Sequence, residues 1–403
     1  GSKWIKLEGG LPTISFRDLA IQRRENDLIG ASFGRSFYVL DDYTPLRQVD
    51  DQVMEKEATL FPVRKALWYI ERRTLGGSGQ ASQGNAYYIA ENPPFGAVFT
   101  YYLADGLKSL EEQRREEEKK LEKEWKDTPY VGWEAIERER RQPKAAILLT
   151  VRDTDGNVVR TVTGPTKAGF HRIAWDLTYP TTSAIRPTSG EEWWRRGGWD
   201  PNSGFMAPPG TYTVTLSKRV DGEVTELADP MEFEVVRVFE GALDGTPPVE
   251  TSAYMQQVAS LRRAISAASE VVDSGFDRIE YLEKALVRSQ TAPGDLDTEL
   301  EALKQRLYEI DQALSGNRSL QNMGEATSPT ISRRLRTASS SDGSSDYGPT
   351  AMHRRNFEIA SQEFAALEPK MRQLLEVELP ALEAKMEEAG VPWSPGRPLP
   401  DVR

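Results

Sequence analysis

Two runs decide the fold of this chain: Ala168-Gly-Phe-His-Arg-Ile-Ala-Trp-Asp-Leu177 and Ala207-Pro-Pro-Gly-Thr-Tyr-Thr-Val-Thr-Leu216. In each, apolar and polar residues alternate at period two behind Gly or Pro-Gly, the pattern of a half-buried antiparallel strand. Working outward, Ala146-Ile-Leu-Leu-Thr-Val151 and Val158-Val-Arg-Thr-Val162 flank Asp153-Thr-Asp-Gly-Asn157. Apolar runs over 211–218 and 233–238 lie either side of Asp221-Gly222. Both short polar runs read as hairpin turns, and a small β-sandwich is the expected result. A calcium loop would need alternating oxygens over about twelve residues ending in Glu. Here Val158-Val-Arg160 follows the acidic run instead.

Composition narrows the function classes. The 403 residues exceed what a single core usually supports, about 250–300. The chain is 38% hydrophobic and 28% charged, with mean hydropathy −0.56, and no apolar run approaches the roughly 18 residues of a membrane span. A formal net charge of −11 repels phosphate backbones, so nucleic acid is not an expected partner. The absence of cysteine excludes disulfides, thiolate zinc sites and thiol catalysis. His171 and His353, the two histidines, fall in different proposed domains and are too few for a multi-histidine metal site or a Ser-His-Asp triad. His171 reads as an exposed or hydrogen-bonded strand residue, with Phe170, Arg172, Ala174 and Asp176 on the opposite face. No catalytic residue, metal or cofactor is expected.

Residues 1–48 read as short strands with tight punctuation, including Lys3-Trp-Ile-Lys-Leu7, Arg17-Asp-Leu-Ala-Ile-Gln22, Asp27-Leu-Ile-Gly-Ala-Ser32 and Ser36-Phe-Tyr-Val-Leu-Asp41. So small a sheet cannot offset the ordering entropy of its own backbone and needs neighbours. Residues 49–90 read as a connector that turns strand-like at Leu60-Phe-Pro62 and Ala66-Leu-Trp-Tyr-Ile70. Its glycine-rich stretch 76–84 lacks the Gly-Lys-Ser/Thr of a phosphate loop.

The sandwich, placed at 91–240, carries two departures. Residues 107–141 read as a charged helical insertion, rich in i,i+4 opposite-charge pairs worth about 0.2–0.5 kcal/mol each. Residues 178–207 form a long loop with Glu191-Glu-Trp-Trp-Arg-Arg-Gly-Gly-Trp199. Trp193, Trp194 and Trp199 beside Arg195 and Arg196 have the composition of a sugar-stacking or partner-binding surface. The alternative is that the rings fold back, with an arginine stacked on them. Glu191 and Glu192, adjacent in sequence, do not flank a scissile glycosidic bond.

Beyond residue 250 the period changes to three and four. Val258, Leu261, Ile265, Ala268, Val272, Ile279, Leu282 and Leu286 mark one helix over 255–288; 296–314 and 357–389 make two more. An antiparallel bundle over 250–390 is expected, with 317–349 a polar loop and 391–403 a tail. Pro369 and Pro380 should kink or interrupt the third helix. No Glu-x-x-His pairing occurs, which excludes a di-metal bundle.

Several motifs carry a family resemblance. Gly1-Ser-Lys-Trp4 looks like the tail of an Asp-box turn, followed by Leu11-Pro-Thr13 and Phe33-Gly-Arg-Ser-Phe-Tyr-Val-Leu-Asp-Asp-Tyr-Thr-Pro-Leu-Arg47. With Asn92-Pro-Pro-Phe-Gly-Ala-Val-Phe-Thr-Tyr-Tyr-Leu103, Pro209-Gly-Thr-Tyr-Thr-Val214 and His353-Arg-Arg-Asn-Phe-Glu-Ile-Ala360, they resemble the C-terminal part of bacterial sortilin-like (BNR-repeat) β-propeller proteins, often labelled glycosyl hydrolase. Val158-Val-Arg-Thr161, Gly169-x-His-Arg-x-x-Trp-Asp176 and Pro209-Gly-Thr-Tyr212 resemble an Ig-like module of the flagellar hook-cap type. The resemblance implies a multidomain β plus α chain: terminal propeller-blade strands over 1–48, an Ig-like β-sandwich with a helical insertion, and a C-terminal antiparallel helical bundle.

It further implies a non-catalytic structural or interaction module of a secreted, periplasmic or cell-surface protein. The partners it implies are the upstream blades and a glycan or cell-surface protein. Two alternatives stand beside it: part of a glycoside hydrolase whose catalytic residues lie on upstream blades, and a carbohydrate-binding module using the tryptophan loop. The opening Gly-Ser-Lys-Trp, without initiator Met or signal peptide, reads as the start of a fragment or of a tagged chain.

Overall fold

The computed structural model describes residues 11, 13–34, 36–71, 90, 92–185, 203–241, 244–292, 294–341 and 345–400. The chain forms two compact units, one of Gly1–Trp68, Arg72–Leu177 and Gly210–Arg237, the other of Tyr69–Glu71, Thr178–Pro209 and Val238–Arg403.

The first unit is built of strands. β1 (Phe16–Gln22), β2 (Asp27–Ser32) and β3 (Phe37–Leu40) make a small antiparallel sheet in that order. Helix α1 (Asp51–Glu55), capped by the Asp50 carboxylate on the Val53 amide, leads into β4 (Ala58–Leu60) and β5 (Ala66–Trp68). β6 (Ala97–Leu103) pairs antiparallel with β4 on one side and with β9 (Gly169–Trp175) on the other. β7 (Ala146–Arg152), β8 (Val158–Gly164), β12 (Gly210–Val220) and β13 (Glu223–Arg237) join β5 in a five-stranded sheet of order β5-β13-β12-β7-β8. The strands curl into a half-barrel.

Alternation explains the core. Ile147, Leu149 and Val151 on β7 face inward with Tyr212, Val214 and Leu216 on β12 and Phe233 and Val235 on β13, all buried. Across from them Trp175 lies edge-on to Tyr212 at 5.2 Å, and Phe99 edge-on to Phe233 at 5.5 Å. Such edge-to-face pairs place the positive ring edge on the negative ring face. The expected turns are present. Asp153 accepts from the amides of Asp155 and Asn157, and Asp221 (φ 51°) and Gly222 (φ 87°) form the two-residue loop between Val220 and Glu223. Positive φ at both central positions is what a type I′ turn demands.

Within the expected connector 49–90, the strand-like stretches around Leu60 and from Ala66 are strands of the two sheets. β4 and β5 are integral to the two sheets, and β5 runs parallel to β13 through Ala66↔Val235, Leu67↔Val236 and Trp68↔Arg237. The glycine-rich 76–84 lies outside the described residues.

The insertion is two helices, α2 (Leu110–Lys123) and α3 (Trp133–Arg141). Ser109 and Glu112 close a capping box on α2, which satisfies two of its orphan amides.

In the second unit, β10 (Thr178–Pro180) pairs antiparallel with β11 (Ser203–Met206). The helices are α4 (Pro248–Val287), α5 (Asp295–Ser315), α6 (Arg318–Asn322), α7 (Ile331–Ser339), α8 (Ala351–Arg372) and α9 (Leu379–Glu388). Their shared core includes Val258, Ile265, Val272, Ile279 and Leu282 of α4, Leu300, Leu307 and Leu314 of α5, and Leu374, Leu375, Leu379 and Leu382. Gly275 lets α4 approach closely: a Cβ there would sit 2.8 Å from Leu375 Cδ2 and 3.1 Å from Leu307 Cδ2.

Two expectations are corrected here, and a third is corrected at Pro369 and met at Pro380. The polar loop over 317–349 contains α6 and α7; Ile331, Leu335 and Ala338 bury one face of α7, and Thr330 caps it. The tail from 391 packs instead of hanging free: Val391, Ser394 and Arg397 are buried, and the Arg397 guanidinium donates to the Pro392 carbonyl (2.9 Å) and to Glu387. The third helix passes through Pro369 without breaking. Between α8 and α9 the chain widens into a π-helical segment, Gln373–Glu378, just before Pro380. A proline cannot donate to the carbonyl four residues back, and the wider turn re-registers the ladder around that gap.

Candidate functional site

The tryptophan loop was the expected contact surface. Trp193, Trp194, Trp199, Arg195 and Arg196 all lie outside the described residues, but the structure describes both stems of that segment. β10 and β11 bring its two ends together, with Tyr179 stacked on Phe205 at 4.7 Å between ring centres. Phe205 is part of the helical core. Thr182 Oγ1 donates to the Ala259 carbonyl at 2.7 Å, and the Ala184 amide donates to Ser266 Oγ at 2.7 Å, so one stem lies on α4. Expected as an excursion of the sandwich over 178–207, the segment is instead rooted in the helical unit. The anchor is an aromatic pair that sequence spacing could not connect.

The β1–β3 sheet presents a second surface. Register places Phe16, Leu19, Ile21, Leu28, Tyr38 and Leu40 on one face, and Ala20, Ile29, Ala31, Phe37 and Val39 on the other. Leu19 is 63% exposed on the first face and Phe37 71% on the second. Phe33, also exposed, has the Arg17 guanidinium 4.7 Å over its ring.

This sheet is held at one end by polar contacts. Arg172 donates to the Asp41 carbonyl at 2.5 Å and to that of Asp42, and Arg64 donates to the Glu25 carbonyl at 3.2 Å. Both arginines line a cavity of about 80 Å³ with Asp41, Asp42 and Lys65. Their donors have protein acceptors, so the arrangement is a clamp.

A third feature escaped the sequence reading, which took 107–141 as one insertion. Between α2 and α3 the chain turns through Trp125-Lys-Asp-Thr-Pro-Tyr-Val-Gly-Trp133, where Trp125 is 96% exposed and Trp133 78%, with Tyr130 and Val131 exposed beside them. The breaker Thr128-Pro129 and Gly132 between two charged runs were the available signal. Arg114 fixes the hairpin shaft: Nε and Nη2 grip both oxygens of Glu139 at 2.8 and 2.9 Å, and Nη1 reaches Glu118 at 2.7 Å. The bidentate guanidinium holds the Glu139 carboxyl below its ordinary range. Arg140 and Arg141 likewise lower Glu137. At the base, Gln142 accepts from the Leu110 amide and donates to Asp221.

In the helical unit a groove of about 710 Å³ between α4 and α5 carries Asp273, Asp277, Glu280, Glu283 and Asp311. Cations answer three of these: Lys284 pairs with Glu280, Lys304 with Glu283 at 2.7 Å, and Arg318 with Asp311 at 3.1 Å. Among the described residues no group of three or more His, Asp or Glu side chains could hold a metal ion. His171 lies 5.2 Å from the Tyr101 ring with Nε2 2.6 Å from the Lys167 carbonyl, and His353 Nδ1 accepts from the Thr350 amide at the start of α8.

Neither a family model, a curated protein nor a solved structure matches this chain. Its own geometry therefore carries the functional reading. That geometry offers exposed aromatic and apolar surface in two places, the β1–β3 sheet and the turn between α2 and α3, with Arg64, Arg172 and Arg114 engaged in holding elements together.

Proposed function

We propose that this chain is a non-catalytic structural and interaction module, the C-terminal part of a larger extracytoplasmic sortilin-like β-propeller protein. In this reading β1–β3 are strands of its closing blade, the curled strand unit is its Ig-like module, and the helices form its terminal bundle. The observation that carries the reading is the two-faced apolar sheet. A three-stranded sheet with one wet face should alternate apolar with polar residues. β1–β3 instead put large apolar side chains on both faces, with Leu19 and Ile21 exposed on one and Phe37 and Val39 on the other. A blade stacked between two others has that requirement, because radial repetition covers each face with the next sheet. The clamp from Arg172 and Arg64 suits the same role, tying the sheet to the strand unit by one end while leaving its faces open.

Hydrogen exchange tests this reading. In the isolated chain the amides of β1–β3 should exchange far faster than those of β6, β7 and β12, and restoring preceding blades should protect them. Protection of β1–β3 equal to that of β12 in the isolated chain would refute the proposal, since the sheet would then be complete without neighbours.

A further inference from the structure

We propose that the tip of the α2–α3 hairpin is a membrane-interface anchor that seats Trp125, Tyr130 and Trp133 in the headgroup region of a zwitterionic phospholipid surface. The inference is independent of the propeller reading.

Four observations carry it. The first is placement. α2 and α3 bury none of their own residues, and the large exposed apolar side chains of the insertion lie in the turn between them and at the first residue of α3. The 14 residues of α2 put that turn about 21 Å from the hairpin base at 1.5 Å per residue. Apolar surface is thus presented end-on, at the extremity of a charged and cross-linked shaft.

The second is residue type. Indole and phenol rings combine an apolar body with one polar group that stays wet, which is why they collect at membrane–water boundaries. Tyr130 and Trp133 meet edge to face at 72°, so they offer no flat platform on which a sugar ring could lie. A lipid interface, by contrast, conforms to any convex tip.

The third is backbone strain. The Lys126 amide reaches back to the Leu121 carbonyl at 2.9 Å, the bond of a Schellman cap, and this leaves Trp125 in the left-handed region at φ 57°. Glycine is the favoured residue there, because a Cβ is disfavoured in that conformation. A tryptophan almost wholly exposed gains no packing to offset the strain, so the fold itself gives no reason for it. Residues held against their backbone preference point to use elsewhere.

The fourth is charge. Near the shaft base, Lys108, Arg114, Arg115, Arg140 and Arg141 are all bridged to carboxylates. Toward the tip, Lys119, Lys120 and Lys123 are not bridged to a carboxylate among the described residues, while Lys126 holds Glu124 at 2.7 Å. These three lysines sit up to about 9 Å behind Trp125 along the axis. Rings inserted about 5–10 Å would bring their amines to phosphate depth. Glu122, Asp127 and Glu134 offset them, so the collar is close to neutral. With −11 on the whole chain, an anionic surface would repel the protein. The aromatic rings must carry the attachment, and the surface they fit is zwitterionic.

The test is co-sedimentation of the full chain with phosphatidylcholine vesicles, read together with the blue shift of tryptophan fluorescence. Wild type should bind, no more tightly to vesicles containing phosphatidylglycerol, and with little dependence on salt. Trp125→Gly should weaken partitioning by about tenfold or more while raising the melting temperature, because it relieves the strained cap. Trp133→Ala should weaken partitioning with the melting temperature unchanged. A triple Trp193→Ala, Trp194→Ala, Trp199→Ala variant should bind as wild type does. Failure of wild type to bind vesicles, the result expected of a tip that docks in a protein pocket, overturns the proposal. Tip variants that bind as wild type does, or loss of binding in the triple variant, overturn it equally.

Discussion

Trp175 is the residue on which the curled strand unit turns: it is almost fully buried at the end of β9, edge-on to both Tyr212 and Phe233. Replacing it with Ala should cost about 3–5 kcal/mol, the usual range for a buried aromatic truncated to a methyl group, and urea titration would measure it. Gly96 packs against the backbone of the same residue. Its φ is +103°, and a Cβ there would lie 1.9 Å from the Trp175 carbonyl oxygen, so neither atom could yield by rotating a side chain. Gly96→Ala should therefore destabilise by about 3 kcal/mol, from strain and overpacking together, and an unchanged denaturation midpoint would contradict the close approach. In the helical unit Tyr254 donates to the Ala338 carbonyl at 3.1 Å, and burial raises its phenol to about 12 against the opposing charge of Arg354. Tyr254→Phe should lose about 1 kcal/mol, the net worth of one such hydrogen bond.

Among elements, the α2–α3 hairpin should respond to acid. Glu137 and Glu139 have carboxyls held below the ordinary value of 4.5 by their arginine hydrogen bonds. A lowered folded-state value contributes stability that is complete above the ordinary value and lost as pH falls through the lowered one. Exchange of α2 and α3 amides should therefore accelerate as pH drops below 4.5, after correction for intrinsic rates. Arg114→Gln should flatten that dependence.

How far each element was legible from sequence follows from what kind of signal it had. β7, β9 and β12 were plain because alternation over seven or more residues leaves one reading, and α4 because eight apolar positions keep the helical period. α7 was hidden, since Ile331, Leu335 and Ala338 are only three anchors in a segment otherwise polar. β5 was legible as strand-like, but its partner was hidden, because it pairs with residues more than 150 positions away, which no local pattern encodes. The Arg64 and Arg172 clamp was likewise invisible: its acceptors are backbone carbonyls, which every sequence supplies everywhere.

At the scale of the whole molecule, the two compact units have separate cores, and each should respond to its own lesions. Leu307 is fully buried among α4, α5 and the π-helical segment. Leu307→Ala should cost about 2–5 kcal/mol and shift the far-ultraviolet helical transition while sparing exchange protection of the β7 and β12 amides; a common shift of both would show one cooperative unit instead. The placement of β13 bears on how such a chain is made. Among the described residues, β13 is the last strand of the sheet in sequence, yet it lies between β12 and β5 and is β5's partner there. Until Arg237 has left the ribosome, β5 lacks its partner β13, and Phe99 and Trp175 have no Phe233 to close on. For the whole of that interval the nascent chain carries unsated aromatic surface, and closing so long a loop is slow. Synthesis thus sets a waiting time during which a holding chaperone would have its natural substrate.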